Sequence, residues 1–288
     1  MAEQLLWAIG PASAHSPDLI DNYTDPLVVG DVVWRVPANG QQPEQRWPMY
    51  HPSEADPEAG YRLHPYTILF NLAGEPAAAY CLRIQYLVIA PRLPYLEIDI
   101  NGCIGRAYLR PAPSQSGEIR LMAGLHTTIY AEGSAEVVIP GSLLRHGENQ
   151  LRLVSRDDDP TIIVHNAEAI KRLDRMANGA GLIYQAITFE QLTATPRQGI
   201  ALLEIKPTVV YRKRADGTLA EQCYLYVECN HAIASGSLAL SVRSGDQAEH
   251  FDFLLPPTSF GHIRHNFELG DSACRRVEYT MEGSVDGE

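Results

Sequence analysis

Polar and apolar side chains alternate at period two from Tyr80. Leu82, Ile84 and Tyr86 interleave with Cys81, Arg83 and Gln85, the pattern of a strand with one buried face. The alternation passes into an apolar run, Leu87-Val88-Ile89-Ala90, and is stopped by Pro91 and Pro94, which cannot donate to a ladder. Leu96, Ile98 and Ile100 then alternate with Glu97 and Asp99 up to Asn101-Gly102, a strong hairpin signal. Tyr108 begins a return arm. Such elements are typical of β-sandwiches, and the flanking chain continues them.

Upstream, the spacing predicts strands over residues 5–10, 28–36 and 67–72. Downstream it predicts strands near residues 119–121 and 127–130, then over 136–140, 150–155 and 182–190. Ser142-Leu143-Leu144 reads as a short helical turn, and residues 167–176 as a short surface helix. Thr193-Ala194-Thr195-Pro196 reads as a linker. Beyond it five more strands are expected, over 202–210, 222–228, 237–243, 249–255 and 275–281. Strands at this turn spacing suit an immunoglobulin-like sandwich. The expected organisation is all-β, with tandem β-sandwiches spanning residues 1–194 and 195–288.

Composition fits this reading. The 288 residues hold 20 prolines and 22 glycines with few long helical patterns, as many short strands and turns require. A net charge of −12 argues against nucleic acid as the main partner, because phosphate contacts need clustered Lys and Arg. No apolar stretch approaches the length that spans a bilayer, so no membrane partner is expected. Five cysteines without paired spacing disfavour a disulfide framework. Buried thiols fit a reducing compartment. The start, Met-Ala-Glu-Gln-Leu-Leu-Trp, lacks the regions of a signal peptide. The expected location is therefore cytoplasmic as the sequence stands, or secreted if the chain is a fragment lacking its signal peptide.

Catalytic patterns are few. The ten histidines include no His-Glu-x-x-His motif, and no Cys-x-x-Cys occurs, so no metal centre is indicated. Asp157-Asp158-Asp159 offers hard oxygens to a structural calcium but reads better as a turn. There is no Gly-x-Ser-x-Gly and no Cys/His pairing for a nucleophile, and no phosphate-cradling glycine loop. No cofactor is expected.

The remaining candidate is the irregular stretch over residues 37–66. A loop of this length inside a compact domain is usually functional or disordered, and its aromatic content argues against disorder. Sugars stack their apolar faces on Trp and Tyr while a few polar groups fix the hydroxyls. Trp47, Tyr50 and Tyr61 are the candidate stacking residues, with Arg46, His51 and Arg62 as hydrogen-bonding partners. A second reading has the loop fold over the end of the sandwich, its aromatics plugging the core.

Several segments together resemble the galactose-binding-like jelly roll that forms the last domain of polysaccharide lyase family 4, the rhamnogalacturonan lyases. They are Trp7-Ala8-Ile9-Gly10, His64-Pro65-Tyr66-Thr67-Ile68-Leu69-Phe70-Asn71-Leu72, Ile98-Asp99-Ile100-Asn101-Gly102, Val138-Ile139-Pro140 with Leu144, Gly147-Glu148-Asn149-Gln150-Leu151, and Ile183-Tyr184-Gln185-Ala186-Ile187. Where that family usually reads Tyr-Asp in the closing segment, this chain has Tyr184-Gln185. The resemblance covers about residues 5–192. A similar module precedes the catalytic region of some bacterial α-mannosidase-related proteins, followed there by an immunoglobulin-like segment with a phrase like Lys206-Pro207-Thr208-Val209-Val210-Tyr211-Arg212. The lyases' catalytic Lys and His lie in a domain with no counterpart here, so none of those residues carries over.

The resemblance implies a non-catalytic, carbohydrate-associated module working with a glycosidase or lyase catalytic domain. The alternatives are an interaction scaffold without its own ligand and a glycan-degrading enzyme with an unrecognised carboxylate pair in the long loop.

Overall fold

A computed structural model describes residues 3–10, 19–20, 30–37, 45–54, 56, 59–88, 94–110, 131–157, 181–194, 199–244, 247–270 and 278–285. The described chain is nearly all strand and contains no α-helix. It divides into two compact units, Met1–Thr195 and Pro196–Glu288.

The first unit holds β1 (Glu3–Ile9), β2 (Leu19–Ile20), β3 (Val32–Arg35), β4 (Trp47–Pro48), β5 (Tyr50–Pro52), β6 (Tyr66–Leu72), β7 (Ala79–Val88), β8 (Pro94–Ile100), β9 (Cys103–Tyr108), β10 (Ala131–Pro140), β11 (Gly147–Asp157) and β12 (Gly181–Leu192). One sheet runs β1-β12-β7-β10, with β5 also paired to β12; the other runs β9-β8-β11-β6-β3. All these pairings are antiparallel except β3 with β6. The alternation read from the sequence points Leu82, Ile84 and Tyr86 inward from one sheet and Leu96, Ile98 and Ile100 inward from the other, all buried. The sheets meet through Trp7, whose ring lies 5.3 Å from Phe189 and 5.7 Å from Phe70.

Two sequence signals have clear structural causes. Asn101-Gly102 forms the β8–β9 hairpin, and both residues have positive φ, 51° and 94°, as a type I′ turn requires. In Gly147-Glu148-Asn149, the buried Asn149 carboxamide accepts from the Arg145 amide and the Asn101 side chain and donates to the Arg145 and Gly147 carbonyls. A buried amide satisfied on all sides holds the turn before β11. The expected turn at residues 142–144 is a 3-10 turn, Gly141–Leu143.

The second unit comprises β13 (Ile200–Lys213), β14 (Leu219–Cys229), β15 (Gly236–Ser244), β16 (Gln247–Leu255), β17 (Gly261–Gly270) and β18 (Glu278–Val285). Its sheets have the orders β13-β14-β17 and β16-β15-β18. Its core is formed by Cys223, Leu225 and Val227 with Leu238, Leu240, Val242, Ile263 and Phe267. Burial pushes the Cys223 thiol up to about 12, and the described cysteines carry thiols rather than disulfides.

The strands expected near 119–121 and 127–130 and the helix over 167–176 lie outside the described residues. Strand β17 (Gly261–Gly270) is not among the strands expected from the sequence. Its inward set, Ile263, His265, Phe267 and Leu269, carries a histidine where the pattern calls for an apolar residue. No helix among the described residues is long and apolar enough to cross a membrane.

Candidate functional site

The loop leading from β3 into β6 is anchored at three places. First, β4 and β5 pair with the short strand β2 and with the start of β12, respectively. Second, Trp47 is fully buried, edge-on to Tyr66 at 5.4 Å and to Tyr184 at 5.6 Å. Third, Tyr50 is buried against Gly181, where a Cβ would come within 2.6 Å of its ring.

A hydrogen-bonded chain ties these anchors together. The Tyr66 hydroxyl donates to the Tyr50 carbonyl at 2.7 Å. The Tyr50 hydroxyl donates to Asp56 Oδ2 at 2.7 Å, and Asp56 Oδ1 accepts from the Ala59 amide at 3.2 Å. His51 lies flat on Tyr66, centroids 3.9 Å apart. Its Nε2 stands 2.7 Å from the His64 carbonyl and its Nδ1 2.7 Å from the Tyr184 hydroxyl. The Ser155 amide also points at Nε2, at 3.3 Å, but the shorter contact is to a carbonyl, which only accepts, so Nε2 carries the proton and Nδ1 accepts from Tyr184. Burial drives His51 down to about 3 and pushes the Tyr184 phenol well above its ordinary value. Both groups are therefore neutral, a state these hydrogen bonds accommodate.

The chain then turns outward. Gly60 and Tyr61 both have positive φ, 85° and 53°, a conformation uncommon for any residue with a Cβ and worth functional scrutiny. The Tyr61 amide donates to the Asp56 carbonyl at 3.1 Å, while its side chain is 68% exposed. Beside it, Arg62 bonds Asp31 Oδ1 at 2.6 Å and the Leu63 carbonyl at 2.9 Å. His64 turns back inside, its Nε2 2.8 Å from the Ala59 carbonyl, and burial lowers its pKa.

The six residues expected to contact a sugar thus separate into two groups. Trp47, Tyr50 and His51 lie in the interior and offer a ring no free face in this structure. Their aromatic area and hydrogen bonds hold the loop. Arg46, Tyr61 and Arg62 are on the surface. Asp31 completes the surface group, with the buried His64 behind it, and neither was singled out in the sequence as a partner of Arg62. Only a pairing across some thirty residues, set by the β3–β6 register, brings Asp31 to them. Gln185, standing where the lyase family usually has Asp, is exposed in a register shift of β12 between Tyr184 and Ala186. No group of three or more metal-ligating side chains occurs among the described residues.

No family model and no curated protein matches the chain. Solved structures similar to it include a GH2 β-galacturonidase from Eisenbergiella tayi, 14% identical, with a TM-score of 0.26 and covering 90% of this chain and 40% of that one. A β-D-mannosidase from Dictyoglomus thermophilum is 14% identical, with a TM-score of 0.24, covering 76% and 27%. The exo-chitosanase CsxA from Amycolatopsis orientalis is 10% identical, with a TM-score of 0.20, covering 99% and 29%. The chain spans less than half the length of each. Similarity at this level carries neither fold nor activity to the present protein.

Proposed function

We propose that this chain is a non-catalytic, carbohydrate-associated module that positions a glycan for a glycosidase or lyase catalytic domain. In this reading Met1–Thr195 is a galactose-binding-like jelly roll of the kind found in polysaccharide lyase family 4. Pro196–Glu288 is an immunoglobulin-like sandwich. Sugar contact falls on Tyr61 and Arg62, and Trp47, Tyr50 and His51 act from beneath by fixing the loop.

The observation that carries the reading is a rigidly founded loop presenting an exposed Tyr61 on a left-handed backbone, next to the Arg62–Asp31 pair. An exposed aromatic ring beside polar groups on a fixed base suits the apolar face and hydroxyl rim of a sugar. Pre-organisation lowers the ordering cost of binding. The described acids of the loop are already committed: Asp56 to Tyr50 and Ala59, and Glu54 to Arg156 and the Asp157 amide. That commitment weighs against a glycosidase pair at this place.

The test is a glycan-array screen of the chain beside a Tyr61→Ala variant. Retained glycans lost in the variant support the reading. A chain that retains no glycan defeats it and turns attention to the scaffold alternative.

A further inference from the structure

His64 is 1% exposed, and its Nδ1 is buried with no hydrogen-bond partner among the described residues. Its other nitrogen faces the Ala59 carbonyl at 2.8 Å. That contact requires the proton on Nε2, so Nδ1 presents a bare lone pair. Asp31 Oδ1 stands 3.9 Å from it, too far for a direct bond. In the neutral imidazole the two atoms are both acceptors. Burial, the largest influence on the ring, works against the imidazolium that would turn this gap into an ion pair. A buried acceptor left unsatisfied is costly, so the pair is primed for a ligand that brings donors.

We propose that His64 Nδ1 and the Asp31 carboxylate form a subsite that receives adjacent hydroxyl groups of a neutral sugar, one O–H donated to each acceptor. The proposal rests on the reading of the Tyr61 loop as a sugar contact and specifies what that contact selects. A single hydroxyl has one proton and satisfies one acceptor; two vicinal hydroxyls satisfy both. The Asp31 side chain is 55% exposed, and the proposal requires it to rotate so that a ligand reaches the nitrogen. A uronate adds a carboxylate that donates nothing, and the Arg62 guanidinium is already taken by Asp31 and the Leu63 carbonyl. The overall charge of −12 also opposes an anion. A carboxylate is therefore disfavoured beside Asp31, and neutral sugars bind more tightly than uronates.

The experiment titrates the whole chain with a panel of neutral hexoses, their monodeoxy analogues and the matching hexuronates, following both affinity and the His64 ring-nitrogen resonances. The same titration is run on Tyr61→Ala and Asp31→Asn. In Asp31→Asn the new amide N–H is expected to satisfy Nδ1 from within the protein and remove its appetite for a ligand donor. The expected result is about ten-fold weaker binding in Asp31→Asn, since a lost hydrogen bond of ~1.4 kcal/mol is a factor of ten, with the uronates weaker than the neutral sugars. The Nδ1 resonance moves when the neutral sugar binds. If a sugar binds and is lost in Tyr61→Ala, yet Asp31→Asn binds as the parent and Nδ1 does not move, the subsite falls and the Tyr61 reading stands. If no sugar binds, both fall. A His64 ring that titrates above its ordinary value in the free protein, as an imidazolium paired with Asp31, also overturns the subsite.

Discussion

The buried imidazole of His51 makes the first unit acid-labile by an amount that can be worked out. In the unfolded chain this ring titrates near 6.5; in the folded protein burial lowers it to about 3. The folded state refuses a proton that the unfolded state accepts. Its stabilising contribution is therefore complete above pH 6.5 and is lost as pH falls from there toward pH 3. One pKa unit corresponds to ~1.4 kcal/mol, so the single-site loss reaches about 2 kcal/mol at pH 5 and about 3 kcal/mol at pH 4. That is a large fraction of the stability of an ordinary domain. Urea unfolding at pH 7, 6, 5 and 4, on the parent and on His51→Gln, isolates the effect from the carboxylates that titrate in the same range. The variant is expected to be less stable by about 1–3 kcal/mol at pH 7 and to lose that deficit as the pH falls. Parallel pH profiles for the two proteins would refute the reasoning.

Other consequences follow from the packing. Trp47→Ala removes a fully buried indole from between Tyr66 and Tyr184 and should cost about 3–5 kcal/mol in a urea melt; a loss under about 1 kcal/mol would place Trp47 outside the core. In Gly141→Ala the new methyl group would fall on the Ala77 carbonyl, backbone that cannot swing aside. A destabilisation of about 1–3 kcal/mol or failure to fold is expected, whereas an unchanged melting temperature would contradict the turn geometry. His265 stacks on Phe253 at 4.9 Å with its Nε2 buried and unpartnered, and burial lowers its pKa. His265→Phe should therefore raise stability by about 1 kcal/mol at pH 7 and by more below pH 6, read from the same melts; a less stable variant would show that the ring nitrogen is satisfied in solution.

Much of the all-β framework is visible in the sequence because strand burial is written at period two. Leu82-Ile84-Tyr86 and Leu96-Ile98-Ile100 announce both their strands and their inward faces, and Asn101-Gly102 announces the hairpin between β8 and β9. Strand β17 is harder to see because His265 interrupts its inward set with an imidazole that burial holds neutral. The short strands Trp47–Pro48 and Tyr50–Pro52 are too brief to show any period at all. Whether their aromatics face water or core depends on pairing with β12 and on Gly181, more than a hundred residues away. Loop composition therefore draws attention to Trp47, Tyr50 and His51 but does not reveal that they are a foundation. The exposed Tyr61 depends on Gly60 and the Asp56 turn, and the role of His64 depends on Asp31. Those are tertiary facts that one sequence does not spell out.

The central claim is that sugar meets this protein at the Tyr61 loop. The most direct measurement is amide chemical-shift mapping of the labelled chain with a glycan retained in the array screen. The account predicts shifts concentrated at Gly60–His64 and at Asp31, absent in a folded Tyr61→Ala protein. Shifts centred on any other part of the chain, or unchanged by that substitution, would contradict it.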